Sequence, residues 1–294
     1  MKNLLKNKKK LLLLSVLLLA FVAGCKSYVD PETKKVMEEY IIYTTTTFGQ
    51  VMEEGWFAAF FVWPLAQVIN FFGNMTDAGI GILIATVLFN VIIAVFSIKS
   101  QVQSQKMQMI QPELNKIQAK YEGKTDDASR MRMSQEMQNL YTKYDINPFS
   151  SILILFIQMP VLMAFYYAVQ RAAVVVKGTF LGIDLTLTPG DGLKNGQWVY
   201  LVIFGLMILL QFLSMKLPMW LAKQKEKKNG TKKKAYAQPK QEGMDQTTMM
   251  TIMSTVMIAW IGFTWPVAMS YYWAVSSLVR ICQNLIVNTF ILKD

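Results

Sequence analysis

The chain has 294 residues, is 53% apolar and 17% charged, and has a mean hydropathy of +0.30, whereas soluble domains carry about 25% charged residues. Its 30 basic and 19 acidic residues leave a formal charge of +11, with no histidine and two cysteines. These counts exclude Ser-His-Asp and Cys-His catalysis, histidine metal sites and a disulfide framework, and the long apolar blocks point to an integral membrane protein.

Residues 1–24 read as a cleaved signal. Met1–Lys10 carries five lysines, Leu11–Ala20 is apolar but too short to span well, and Val22-Ala23-Gly24-Cys25 follows. Cysteine directly after Ala-Gly resembles a bacterial lipobox, so Cys25 is the expected lipidation site and the first mature residue. Two or more acyl chains give stable anchoring, where one gives only marginal binding.

The mature chain reads as an all-α membrane protein. Five blocks of transmembrane length follow, at residues 78–98, 149–169, 198–217, 249–265 and 267–291. A sixth apolar block, Trp56–Phe72, contains Pro64 and seven aromatic residues. If it does not span, segments 99–148 and 216–248 are cytoplasmic and hold eight and nine basic residues, against three in each of the outer segments 26–77 and 170–197. If it spans, every later loop flips. The positive-inside rule therefore places 56–72 as an amphipathic helix in the outer interface, within an extracellular segment 25–77. Segment 99–146 predicts a cytoplasmic helical hairpin, with a turn at Gly123 and an Asp cap on its second arm. The loop 218–248 is lysine-rich, and its part 223–243 predicts disorder and contact with anionic lipids. The C-terminus is then cytoplasmic and the lipid-anchored N-terminus outside, in a multi-pass protein of the cell membrane.

Polar residues inside spans are expensive, so they inform. Asn90, Gln158, Gln211 and Arg280 lie on four different spans within roughly 6 Å of depth, at about 1.5 Å per residue. Trp273, Ser277, Arg280, Asn284 and Asn288 are spaced four, three, four and four, one stripe of the last span. No acidic residue lies in any span to neutralise Arg280, so a hydrated groove is the simplest setting for it. Methionine is a second signal: Met249, Met253 and Met257 fall at i, i+4 and i+8, and further methionines mark the hairpin. Such side chains suit varied apolar partners. No nucleophile with a base, metal constellation or nucleotide loop is visible, so no cofactor, metal or enzymatic chemistry is expected. The lysines edge apolar blocks, and no DNA partner is expected. A small-solute transporter and a membrane lipoprotein scaffold are competing readings; the first calls for inverted repeats or broken helices, and no convincing repeat is present.

Several landmarks occur in order: Gln111-Pro112-Glu113 after the first span, Asn147-Pro148 and Gln158-Met159-Pro160 in the second, Trp265-Pro266 and Tyr271-Tyr272-Trp273 in the last two. Together with the lipobox this resembles the YidC/Oxa/Alb membrane protein insertases, in the lipoprotein form of Gram-positive bacteria. The resemblance covers roughly residues 56–291. It implies an insertase and chaperone with a hydrophilic groove that admits the polar tail of a nascent membrane protein, acting alone or with the Sec translocon; the lysine-rich segments, through sequence-independent attraction to phosphate, predict ribosomal RNA as a further partner. It implies no small-molecule substrate. Groove residues of the family match Gln158, Gln211 and Trp273. Asn90 stands where the family carries an arginine, and Arg280 is expected to supply that charge from the last span. Met249, Met253 and Met257 are expected to guide the client helix.

Overall fold

The computed structural model describes residues 28–33, 35–147, 149–228 and 246–291. The signal segment 1–24, Cys25 and residues 229–245 of the lysine-rich loop lie outside them.

The described chain is helical throughout. After a short 3-10 turn at Glu38–Tyr40 come α1 (Phe48–Glu54), a π turn (Ala58–Val62) and α2 (Trp63–Met75). Then follow α3 (Ala78–Met109), α4 (Gln111–Tyr121), α5 (Asp127–Lys143), α6 (Phe149–Arg171) and α7 (Ala173–Lys177). The last elements are α8 (Pro189–Lys194), α9 (Val199–Lys228), α10 (Gln246–Thr264) and α11 (Val267–Ile286), closed by a π turn at Val287–Ile291.

Local sequence explains the boundaries. Thr47 opens α1 with a reciprocal cap, its hydroxyl accepting from Gln50 N while the Gln50 side chain accepts from Thr47 N. Pro64 sits in the first turn of α2, where its missing N–H costs nothing. Pro112 similarly starts α4 after the break at Ile110. Gly123, at φ +78°, turns the hairpin, and the Asp126 carboxylate accepts from Ser129 N at 2.8 Å to start α5. The hairpin closes on its own core of Ile110, Leu114, Leu140 and Ile146.

Two helices outrun the apolar blocks that signal them. α3 has 32 residues, about 48 Å at about 1.5 Å per residue, against roughly 30 Å of hydrocarbon. α9 continues through Pro218 to Lys228, six residues into the segment expected to be disordered. Gln, Lys, Glu and Ala propagate a helix already nucleated, so hydropathy ends before the helix does.

Three described helical segments are long and apolar enough to cross a membrane: Ala58–Met75, Ala78–Val95 and Val199–Leu221, with Thr251–Thr264 a shorter apolar helix. The first includes most of the helix that charge assigns to the interface, and its mean hydropathy is 1.2 against 2.5 and 2.0 for the other two.

The fold divides into two compact units, Met1–Ala85 with Gln158–Leu187, and Thr86–Ile157 with Thr188–Asp294. In the first unit the backbone of Ile42 bridges the end of α6 and the start of α7, donating to Arg171 O at 2.7 Å and accepting from Ala173 N at 3.0 Å. The buried Asn70 side chain ties α2 to both, donating to Ile42 O and accepting from Val174 N. Gly81 lets α3 lie against α2: a Cβ there would stand 2.4 Å from Ile69 O. In the second unit α9 packs along α10 and α11.

Candidate functional site

The second unit holds a polar layer on α3, α9 and α11. The Asn90 amide donates to Thr86 O at 2.8 Å, back along α3, and to the Ser276 hydroxyl of α11 at 3.3 Å. The Gln283 amide of α11 donates to Asn90 O at 3.4 Å. Ser276 and Gln283 thus bracket Asn90, and Arg280 lies between them at spacings of four and three, on the same helix face. Arg280 is half-buried. Among the described residues it forms no ion pair, and its electrostatic neighbour is the Tyr272 phenol.

A neighbouring set is fully engaged. Ser277 donates to Gln211 Oε1 at 2.8 Å, linking α11 to α9. Asn284 donates to Ser214 O at 3.4 Å and accepts from the Gln105 amide at 3.1 Å, which brings the distal end of α3 into the layer. Two residues earlier, Gln103 holds the base of the hairpin, accepting from Asn147 N at 3.0 Å and donating to Asp145 O at 3.3 Å. Trp273 is buried and stacks on Trp265, with ring centroids 5.8 Å apart and planes at 13°.

The structure therefore brings Asn90, Gln211, Trp273 and Arg280 into one unit. Gln158 is half-buried in the first unit. Met249, Met253 and Met257 form an exposed row on α10, 50 to 66% accessible, continued by Val256 and Trp260. Ser276 and Gln283 are contacts that the sequence stripe passes by, each one residue from a stripe position. Their spacing to Arg280 is the signal that finds them. Among the described residues no group of three or more His, Cys, Asp or Glu is placed to hold a metal ion.

The first unit holds a different polar centre, which sequence reasoning missed. Arg171, at the end of α6, has a side chain 1% exposed. Its guanidinium meets both Glu54 carboxylate oxygens through Nη2, at 2.7 and 2.8 Å, and donates through Nε to Tyr40 O at 2.8 Å. The Tyr28 ring covers it, with Cζ 4.2 Å from the centroid. Burial pulls its pKa below the usual arginine value, opposed by the Glu54 charge. A cavity of about 290 Å³, bordered in part by Glu38, Gln50, Glu54 and Arg171, opens beside the pair.

Long apolar helices, an internal layer of amides and hydroxyls, and an arginine with no ion-pair partner among the described residues define a helical membrane protein. The comparisons carry this to a family. The family model described as 60Kd inner membrane protein matches residues 70–294. "Membrane protein insertase YidC 2" of Bacillus anthracis is 30% identical over 286 residues, 97% of this chain and 94% of that protein. "Membrane protein insertase MisCA" of Bacillus subtilis is 27% identical over 97% of this chain and 93% of its own length. "Membrane protein insertase YidC 1" of Streptococcus pyogenes serotype M1 is 33% identical over 77% of this chain and 72% of its own. The chain belongs to the YidC/Oxa family of membrane protein insertases, whose members are multi-pass proteins of the cell membrane and not enzymes.

Proposed function

We propose that this chain inserts hydrophobic segments of nascent membrane proteins by admitting their polar flanks to a hydrophilic groove at the level of Asn90 and Arg280. The observation that carries the reading is the bracketing of Asn90 by Ser276 and Gln283, with Arg280 on the face between them. A charge that the family resemblance places on the first span is thereby supplied from α11, beside the asparagine that stands at that position. A cation without a carboxylate partner attracts acidic flanks, and neighbouring amides and hydroxyls replace water around a passing polar chain.

In this reading the chain crosses the membrane five times, with Trp56–Phe72 in the outer interface and Cys25 acylated outside. Exposed aromatics Trp56, Phe60, Phe61 and Phe71 support an interfacial depth. The hairpin α4–α5 receives the client, Gln211 contributes to the groove, and the exposed row Met249, Met253 and Met257 guides the client helix. The basic cytoplasmic segments suit anionic lipids and ribosomal RNA, and the Sec translocon is a further partner.

Growth rescue of a bacterium depleted of its own insertase tests this. The parent and Arg280→Lys rescue, and Arg280→Ala at equal membrane level does not for clients with acidic tails. Equal rescue by Arg280→Ala removes the charge from the mechanism. Failure of the parent at normal membrane level removes the reading.

A further inference from the structure

Tyr28 is buried to 3% exposure although only two residues separate it from Cys25. Its ring stands edge-on to Tyr40 at 5.3 Å and to Tyr167 at 5.1 Å, and covers the Arg171 guanidinium at 4.2 Å. The backbone that leaves it is equally engaged. Met37 N donates to Tyr28 O at 3.0 Å, Asp30 N to Lys35 O at 2.9 Å, and the Asp30 carboxylate accepts from Glu32 N and Thr33 N. Arg171 already has Glu54 and the Tyr40 carbonyl as partners, so its charge does not require Tyr28. What the ring adds is a fixed position for the chain.

We propose that this cage of Tyr28, Tyr40, Tyr167 and Arg171 seats the mature amino terminus and clamps the lipid-bearing Cys25 to the end of α6. The proposal rests on the lipoprotein reading of Cys25. Three residues reach at most about 10 Å when fully extended. The point at which the acyl chains are attached is therefore held within that distance of the cage, where a long leader would let it wander. The anchor becomes a fixed lipid contact of the first unit, which also exposes Trp56, Phe60, Phe61 and Phe71. The partner is a bilayer surface, entered by the acyl chains of this same polypeptide.

The test uses the full chain in sealed right-side-out membrane vesicles from cells fed radiolabelled palmitate. Endoproteinase Glu-C added outside, which has no glutamate to cut between Cys25 and Tyr28, reports opening of the turn by cleavage after Glu32, which releases the labelled fragment from the rest of the protein. Tyr28→Phe keeps the ring and releases label within about twofold of the parent rate. Tyr28→Ala releases it at least about tenfold faster, roughly the loss of 1.4 kcal/mol of closure, while cleavage beyond residue 47 is unchanged. Equal rates for Tyr28→Ala and the parent, or a Phe variant as fast as the Ala variant, overturn the clamp. Absence of label from the parent, judged against Cys25→Ala, overturns the lipoprotein reading and the clamp with it.

Discussion

The two units each hold one deeply placed arginine and treat it in opposite ways. Arg171 in the first unit is enclosed by a carboxylate, a carbonyl and aromatic rings. Arg280 in the second lies on the helix face between Ser276 and Gln283, near the Tyr272 phenol, and forms no ion pair among the described residues. A neutralised cation has little electrostatic attraction left for a passing ligand, whereas an unpaired one keeps its field for whatever anion arrives. In the proposed reading the first arginine serves architecture and the second is available to a client.

Charge reversal tests this comparison most directly. Arg280→Glu should lower insertion of acidic-tailed clients by at least about tenfold, equivalent to roughly 1.4 kcal/mol, and favour basic tails instead. In vitro insertion into proteoliposomes with a matched pair of tails reads both effects. At the other centre, Glu54→Ala strands a buried guanidinium and should cost about 3–5 kcal/mol, seen as a fall in melting temperature in detergent. Combining Glu54→Leu with Arg171→Met should recover most of that loss, because the pair is structural and apolar packing can replace it. No apolar substitution at Arg280 should restore insertion of acidic tails.

Gly81→Ala tests how the first unit is packed. Its new methyl would collide with Ile69 O, a backbone atom that cannot swing away, and should cost about 1–3 kcal/mol by thermal denaturation. In the second unit Gln211→Leu should cost only about 1 kcal/mol. A cycle with Ser277→Ala should assign that loss to their shared hydrogen bond.

The smallest expected effect lies in the hairpin. Hydrogen bonding to Ser129 holds the Asp126 carboxyl below its usual pKa. A lowered folded value contributes stability that is fully present above the ordinary aspartate pKa of about 3.9 and is lost as pH falls through the folded one. Hydrogen-exchange protection in the first turn of α5, corrected for intrinsic rates, should decline only in that acid window. Asp126→Asn should flatten the dependence.

Much of this contrast could be read before the structure, and the unread part has a common cause. Spacing on one helix exposed the stripe through Trp273, Ser277, Arg280 and Asn284, because helical phase is a local property. It did not distinguish Ser277, which serves Gln211, from Ser276, which serves Asn90, since that choice depends on where α9 and α3 lie against α11. The Arg171 centre was illegible for the same reason carried further. Its carboxylate is 117 residues away and its carbonyl partner 131, and the arginine itself looks like an ordinary flanking charge. Helix ends past the apolar blocks escaped as well, because apolarity marks the hydrocarbon and says nothing about how far a helix runs into water. The hairpin, built from local caps and a glycine turn, was the most legible element of the second unit.

The polar layer consists of amides, hydroxyls and one guanidinium, and the chain contains no histidine. None of these kinds of group ordinarily changes its protonation state near physiological pH. Among the described residues of this layer there is therefore no group for a proton gradient to load on one side and discharge on the other. In the proposed reading the client itself contributes work to moving a polar flank: from its apolar segment leaving water, about 25 cal/mol for each Å² buried, and from the membrane voltage acting on each acidic charge, about 2.3 kcal/mol per 100 mV. Under the proposed function, a layer of this composition lowers a barrier without setting a stoichiometry, and each client's own charge and apolarity bear on how far its insertion runs.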